Sequence, residues 1–245
     1  MHRRGYTKRP LFVTSFLLTQ NCAAIALVNP LAGSDQGLAT WFHAHLTPFF
    51  VAILRALCEP GSGEWIGITL FVGVLFFAWK RWWPSLATLI IAVPGGMLLN
   101  ELIKLMVHRQ RPFVDGPFVD WSGYSFASGH TIGATLLYGQ ILLFLIPVLK
   151  SRRWRSLAVF IAITLVLLVG FSRIALGAHY LTDVLAALFF GSLWLAFCFF
   201  ALKPLHRRVA RRELISSMPL AEDSVLALAP VPVTETAEQV QLLSH

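Results

Sequence analysis

Three short stretches of the sequence concentrate the side chains that could bind and attack an anion. The first runs from Lys104 to Pro112 and contains Arg111 seven residues after the lysine. Seven residues make about two helical turns, so both cations project from nearly the same face if a helix persists. Pro112 disfavours helical geometry at Arg111, which predicts that the helix ends there.

The second stretch runs from Ser125 to His130 and reads Ser-Phe-Ala-Ser-Gly-His, just before an apolar run. Small residues such as Ser128 and Gly129 at a helix N-terminus leave backbone N–H groups free, and such groups bind anions. We therefore expect an anion site at this helix start, with His130 beside it.

The third stretch contains Ser172, Arg173, His179 and Asp183. If a helix has begun by His179, Asp183 lies one turn further on, where its carboxylate can accept a hydrogen bond from one imidazole nitrogen. That bond would fix the tautomer and leave the lone pair of the other nitrogen free to attack.

At the positions named above, the three stretches together supply three cations, a helix start and two histidines. Phosphoryl transfer needs charge neutralisation, a nucleophile and a proton donor, and this set supplies all of them. The residues therefore predict an enzyme that transfers a phosphoryl group, provided that the stretches meet in one pocket.

Composition places these stretches in a membrane protein. Of the 245 residues, 56% are hydrophobic and only 13% are charged, which lies outside the soluble average. Six apolar runs approach the length that crosses a hydrocarbon core, which predicts an all-α, polytopic fold with six transmembrane helices in a bundle. The runs are Leu11–Val28, Trp65–Trp79, Leu86–Val107, Thr131–Leu149, Ser156–Phe171 and Val184–Leu202.

Basic residues assign each loop to a side of the membrane, because Lys and Arg accumulate in cytoplasmic loops. They precede the first run, join the second to the third and the fourth to the fifth, and follow the sixth. Both termini are then cytoplasmic, and the three stretches face the opposite side, which we interpret as the periplasmic face of a bacterial inner membrane. We predict a basic cytoplasmic N-terminus over 1–10, a transmembrane domain over 11–205, and a basic cytoplasmic tail over 206–245 that is largely disordered from 214.

Two segments before the second run carry separate predictions. Leu38–Leu57 mixes aromatic, His and Arg residues over about twenty positions, which favours an amphipathic helix at the membrane interface. The first run follows a basic leader and ends near small residues, as a signal peptide does. We favour an uncleaved first span, and the later topology is the same in either case.

Other features do not point to a separate function. The formal net charge of +8 does not indicate nucleic acid, because the basic residues lie between apolar runs and not on one helix face. The cysteines Cys22, Cys58 and Cys198 are too few and too scattered for a disulfide framework. His43 and His45 lack a carboxylate or cysteine at ligand spacing, so we expect surface histidines and no metal.

The three stretches resemble the signature of the type 2 phosphatidic acid phosphatases, a family that shares its fold with vanadium haloperoxidases and glucose-6-phosphatase. That signature is Lys-x6-Arg-Pro, then Pro-Ser-Gly-His, then Ser-Arg-x5-His-x3-Asp. Lys104–Pro112 fits the first part, Ser128–His130 the second and Ser172–Asp183 the third. Ala127 replaces the proline of the second part, and the resemblance covers roughly residues 10–205.

The resemblance implies a role for each matched residue. His179 would attack phosphorus and form a phosphohistidine, Asp183 would orient it, and His130 would protonate the leaving group and later take a proton from the hydrolytic water. No metal or other cofactor is implied, because the cations supply the positive charge. The residues implied to bind phosphate oxygens are Lys104, Arg111, Ser128, Gly129 and Arg173.

The expected function is hydrolysis of a lipid phosphomonoester or lipid pyrophosphate drawn from the surrounding membrane. Phosphatidic acid, phosphatidylglycerophosphate and undecaprenyl pyrophosphate all fit, because the motifs grip the phosphate that they share. Two alternatives stay open: a phosphotransferase with an acceptor other than water, and a transporter or scaffold that binds an anion without chemistry. The sequence does not fix the oligomeric state.

His108 and Arg109 lie outside the fixed positions of the first stretch and are expected to be interfacial or headgroup contacts.

Overall fold

The computed structural model describes residues 31–115, 118–119 and 121–217. Within these residues the chain forms seven α-helices, one 3₁₀ turn and no strand, which confirms the all-α prediction. The predicted first span, Leu11–Val28, lies outside the described residues. The helices are α1 (Ala32–His45), α2 (Pro48–Cys58), α3 (Gly63–Trp79), α4 (Trp83–Val107), α5 (Gly129–Val148), α6 (Arg152–Ala175) and α7 (Leu181–Ser217), and the 3₁₀ turn is Glu59–Gly61.

Five stretches of the described chain are long and apolar enough to cross a membrane, with mean hydropathies of 1.5 to 2.5. Each overlaps one of the predicted runs from the second to the sixth. The second run is lengthened to 32 residues, because α2 and the 3₁₀ turn precede α3 with only the extended residue Ser62 between them. The stretches are Pro48–Trp79, Trp83–Val107, Gly129–Val148, Arg152–Ala175 and Leu181–Pro204.

Leu38–Leu57 forms parts of two helices, so our prediction of one continuous helix there is wrong. Extended residues Leu46 and Thr47 separate α1 from α2. Pro48 lacks an N–H and disfavours helical geometry in the residue before it, and the Thr47 hydroxyl accepts the Phe50 N–H at 3.2 Å as an N-cap. The placement of these helices at the membrane interface stays a prediction.

α5 lies at the centre of the bundle and packs against α3, α4 and α6. Its Ile132, Leu136 and Leu137 form a core with residues of α3, α4 and α7. In lipid, helices associate through close van der Waals contact at small residues and not through a hydrophobic drive. Accordingly, a Cβ at Gly96 of α4 would lie 2.5 Å from Leu136 Cδ1, and one at Gly133 of α5 would lie 2.4 Å from a side-chain carbon of α3. The close contacts fix the ends of these helices relative to one another.

A second core joins α2 to the end of α6. Val51, Leu54 and Cys58 of α2 pack on Ala175 and Leu176, where α6 finishes. This packing brings the 3₁₀ turn after α2 beside the start of α5 and the end of α6.

The chain divides into two compact units after Lys203. The described part of the second unit is the C-terminal portion of α7, which contains Pro204 and continues to Ser217. Helix therefore extends past residue 214, where we predicted disorder to begin, because the segment is rich in Arg, Leu and Glu, which favour helix. The remainder of the predicted tail lies outside the described residues.

Gly61 ends the 3₁₀ turn directly against the backbone of α5. A Cβ there would lie 2.8 Å from the His130 carbonyl oxygen and 2.6 Å from a Val169 methyl carbon. We expect Gly61→Ala to reduce the free energy of unfolding by about 1–3 kcal/mol through overpacking, seen as a lower melting temperature in detergent. Gly63→Ala is the matched control, because nothing lies within 4 Å of a Cβ at that position. Equal melting temperatures for the two variants would contradict the close approach.

Candidate active site

Six of the eight predicted site residues line one cavity of about 510 Å³. α4 and α6 end at this cavity and α5 and α7 begin beside it, so it lies at one end of the bundle. The other two residues, Ser128 and Asp183, are fully buried behind its wall. The six that line the cavity are Lys104, Arg111, Gly129, His130, Arg173 and His179.

Lys104 stands in the last turn of α4, and its Nζ donates to Glu101 Oε1 at 2.7 Å. The carboxylate partner is 57% exposed, whereas the lysine side chain is only 16% exposed. A Cβ at Gly129 would lie 3.4 Å from the lysine Nζ. The ammonium group therefore sits between an exposed carboxylate and the start of α5.

α4 ends at Val107, earlier than predicted, because His108 adopts a left-handed φ of 52° and donates its N–H to the Lys104 carbonyl at 3.0 Å. Lys104 and Arg111 therefore do not share a helix face, and that prediction is wrong. A loop carries Arg111 to the cavity, where backbone carbonyls hold its guanidinium. Those of Ser122, Gly123 and Ala178 accept at 2.9, 3.0 and 3.0 Å.

Arg173 is only 7% exposed although it is a cation. Its Nη1 contacts Cys58 Sγ at 3.8 Å and its Cζ lies 5.7 Å from the centre of the Trp121 ring, but its Nε has no hydrogen-bond partner in the described residues. A buried donor without a partner is costly, and more so on a charged group. An anion in the cavity would relieve that cost.

The start of α5 presents backbone N–H groups that have no partner within the helix. Gly129, its first residue, and His130, its second, line the cavity. Ser128 precedes them as the N-cap, but its hydroxyl accepts a hydrogen bond from Thr131 at 2.9 Å and does not line the cavity. The direct phosphate contact expected of Ser128 therefore stays a prediction, while the amides behind it are well placed to bind an anion.

His179 lies in the turn before α7 and is 2% exposed. Its Nε2 is 3.3 Å from Arg111 Nη1, whereas its Nδ1 is 3.7 Å from Asp183 Oδ2. The predicted pairing with the carboxylate is present, but the distance exceeds that of a hydrogen bond. Ser125 explains the gap, because its hydroxyl lies 3.4 Å from Nδ1 and donates to the same carboxylate oxygen. Such contacts are often long before substrate binds.

Asp183 is held at the start of α7 by donors from several segments. As the third residue of the helix it accepts the Tyr180 N–H at 2.9 Å, in the manner of a capping box. Arg109 Nη1 donates to its other oxygen at 2.6 Å and to Thr182 Oγ1 at 2.7 Å. The expectation that Arg109 is an interfacial or headgroup contact is therefore wrong, because it is an ion-pair partner of the buried carboxylate.

Sequence reasoning missed both Arg109 and the bond from Ser125 to Asp183. The available signal was that a carboxylate at membrane depth needs a cationic partner, and Arg109 is a basic residue two positions from Arg111. It also missed the far wall of the cavity, which comes from α2, the 3₁₀ turn and α3. The polar residues on that wall are Arg55, Glu59, Ser62 and Glu64.

The paired histidines of α1 have structural partners. His43 stacks on Phe113 at 4.1 Å between ring centres, and His45 Nδ1 lies 2.7 Å from the Trp41 carbonyl oxygen. Across the part of the chain that the structure describes, no three His, Cys, Asp or Glu residues gather as a metal site would require.

Burial lowers the pKa of both His179 and Arg111, whose side chains meet at the cavity. It lowers the pKa of His179 to about 4, with Arg173 and Arg111 adding to the decrease and the Asp183 carboxylate opposing it. Burial also lowers the pKa of Arg111 to about 10, helped by Arg173. At neutral pH the imidazole is therefore uncharged, with a lone pair on one nitrogen, while the guanidinium keeps its charge.

A titration tests this charge state directly. Because burial favours the neutral imidazole, we expect His179 to stay neutral as the pH falls through 6.5 and to gain its proton only near pH 4. NMR of protein labelled with ¹⁵N-histidine measures this, and loss of one signal in His179→Gln identifies the residue. A His179 signal that titrates near 6.5 would overturn the assignment.

Comparison with known proteins shows the family of this chain. Residues 82–206 match the PAP2 superfamily model. Phosphatidylglycerophosphatase B of Bacillus subtilis (strain 168) is 27% identical over 201 residues, which cover 81% of this chain and 96% of that protein. A crystal structure of a transmembrane PAP2-type phosphatidylglycerolphosphate phosphatase from Bacillus subtilis is 28% identical, with a TM-score of 0.63 over 80% of this chain and 96% of that one. The chain therefore belongs to the PAP2 superfamily, the type 2 phosphatidic acid phosphatases that its three stretches resemble.

Proposed function

We propose that this chain is an integral-membrane phosphatase that hydrolyses a lipid phosphomonoester or lipid pyrophosphate through a phosphohistidine on His179, without a metal ion. The observation that carries the proposal is the convergence of two histidines and three cations on one cavity at the end of a membrane-helix bundle. Family membership and the likeness to a phosphatidylglycerophosphatase support the lipid phosphatase class.

His179 Nε2 is the attacking atom, since Nδ1 faces the buried Asp183. Its lone pair forms a bond to phosphorus as the bond from phosphorus to the leaving oxygen breaks, and His130, which takes up a proton when the phosphate anion binds, delivers that proton to the leaving oxygen. In the second step His130 takes a proton from water, the water oxygen attacks phosphorus and the bond from phosphorus to nitrogen breaks. Inorganic phosphate leaves, and both imidazoles return to their starting states.

Lys104, Arg111 and Arg173 bind the phosphate oxygens and neutralise the charge that is spread over them during transfer. Arginine suits this task because its planar fork can grip two oxygens. The partnerless Nε of Arg173 supports the assignment, because a phosphate oxygen would supply its acceptor. These cations do the work that Mg²⁺ does in other phosphoryl-transfer enzymes, which is why we propose a metal-independent reaction.

Asp183 keeps the proton of His179 on Nδ1 and balances the positive charge of the phosphorylated ring. Its burial supports this role, because electrostatic interactions strengthen where water is excluded. Ser125 contributes by fixing the carboxylate oxygen nearest Nδ1.

The direction of the helices supports a site on the non-cytoplasmic side, in the periplasm of a bacterial inner membrane. α4 and α6 start beside the basic segments 80–81 and 150–155 and run toward the cavity, and α7 runs from the cavity toward Lys203. Every one of these basic segments lies at the helix end opposite the cavity, as the charge rule requires of cytoplasmic loops.

Activity of the purified protein tests the proposal. We expect release of inorganic phosphate from phosphatidylglycerophosphate, phosphatidic acid or undecaprenyl pyrophosphate in detergent micelles, unaffected by EDTA, inhibited by vanadate, and lost in His179→Ala. His45→Ala is the control, because that histidine is exposed and outside the cavity. A strict requirement for Mg²⁺, or release only when a second acceptor is added, would contradict a metal-independent hydrolase.

A further inference from the structure

Asp35 of α1 is a buried carboxylate to which the steps of the proposed reaction assign no role. It is 2% exposed and accepts hydrogen bonds from Arg109 Nη2 at 2.8 Å, from the Thr182 N–H at 3.1 Å and from the Thr182 hydroxyl. The residue lies well before position 82, where the match to the superfamily begins. It nevertheless reaches the first turn of α7, where its contact Thr182 is three residues after His179.

Arg109 bridges Asp35 and Asp183. One terminal nitrogen donates to Asp183 Oδ1 at 2.6 Å, and the other donates to Asp35. Its Cζ lies over the Tyr180 ring, 4.1 Å from the ring centre. An arginine held by two carboxylates and an aromatic face has little freedom, since its planar fork meets fixed partners on both sides.

We propose that Asp35 and Arg109 are positioning residues for the Asp183 carboxylate. Arg109 holds the carboxylate toward His179, and Asp35 prevents Arg109 from cancelling the negative charge of Asp183. This inference rests on the proposed function, because it concerns how the nucleophile of that reaction is supported. It assigns to α1, a helix outside the superfamily match, a part in the chemistry of the cavity.

The charge balance explains why two carboxylates share one guanidinium. Asp35, Asp183 and Arg109 carry one net negative charge between them, and it lies behind the imidazole that becomes positive on phosphorylation. With Asp35 neutral, Arg109 would cancel the charge of Asp183 alone and weaken its attraction for the ring. With Arg109 removed, two buried carboxylates would each lose an ion-pair partner, which is strongly unfavourable.

The hydrogen bonds of Asp183 also support a positioning role, because they fix the orientation of its carboxylate. Oδ1 of Asp183 binds Arg109, so only Oδ2 remains to face Nδ1 of His179, and Ser125 and the Tyr180 N–H bind that oxygen. Rotation of the carboxylate would break all three bonds at once. Asp35 adds to this by anchoring both Arg109 and Thr182, the residue directly before Asp183.

A double-mutant cycle separates positioning from simple support of the fold. The variants are Asp35→Asn, Asp183→Asn and the pair, assayed for kcat and KM on a lipid phosphate, with melting temperature as the check on folding. We expect Asp35→Asn to lower kcat about 10- to 100-fold, the range typical of outer-shell partners of metal-bound histidines, with KM nearly unchanged. In the Asp183→Asn background, Asp35→Asn should lower kcat little further, because the carboxylate through which Asp35 acts is gone.

Arg109→Lys is the second variant in case Asp35→Asn fails to fold. Lysine keeps the charge, but its ammonium cannot bridge two carboxylates as a fork does, so kcat should fall while KM holds. Asp115→Asn, an exposed carboxylate in the loop after Arg111, is the matched control and should leave both constants unchanged.

The outcomes distinguish this inference from the proposed function. If wild-type protein releases no phosphate from any of the lipid phosphates, the proposed phosphatase function is overturned. If wild-type protein is active, two results would overturn the positioning role alone. One is that the fold-losses in kcat from Asp35→Asn and Asp183→Asn multiply in full in the double variant. The other is that Arg109→Lys changes only KM.

Discussion

The structure around the cavity depends on one constraint: the carboxylate of Asp183 has no exposure to water and must find all of its partners within the protein. Each donor comes from a different segment. Arg109 follows α4, Ser125 precedes α5, and the Tyr180 N–H starts α7. Satisfying one buried anion therefore ties three helix ends into a single arrangement, and His179, the proposed nucleophile, lies within it.

The bundle supplies the frame that makes this arrangement stable. Irregular backbone is costly in lipid unless protein or a water-filled space satisfies its polar groups. The described irregular segments between α4 and α5 and between α6 and α7 both border the cavity, where carbonyls of Ser122, Gly123 and Ala178 accept the donors of Arg111. Close contact at Gly96 and Gly133 holds the helices that carry these segments. Regular helix thus makes up the apolar stretches long enough to cross a membrane, and the candidate site lies at their ends.

Most of the candidate residues that line the cavity could be predicted from the sequence, because phosphoryl transfer needs particular side chains and charged groups are rare among apolar runs. The residues that hold these side chains in place could not be predicted from the sequence. Arg109 meets a carboxylate 74 positions away and Asp35 meets Thr182 across 147 positions, and no periodicity links such pairs. The end of α4 was misplaced for a local reason: His108 takes a left-handed conformation that propensity does not foretell, so the helix stops before Pro112 can end it.

The ion pair between Lys104 and Glu101 has a consequence for any anion that binds in the cavity. The carboxylate accepts from the ammonium at 2.7 Å, so a bound anion and Glu101 compete for the same donor. Because Glu101 lies three residues before Lys104 on the same helix, the competing acceptor is always close by. Arrival of an anion at Lys104 therefore costs more, and its departure costs less, than either would at a lysine without a carboxylate neighbour.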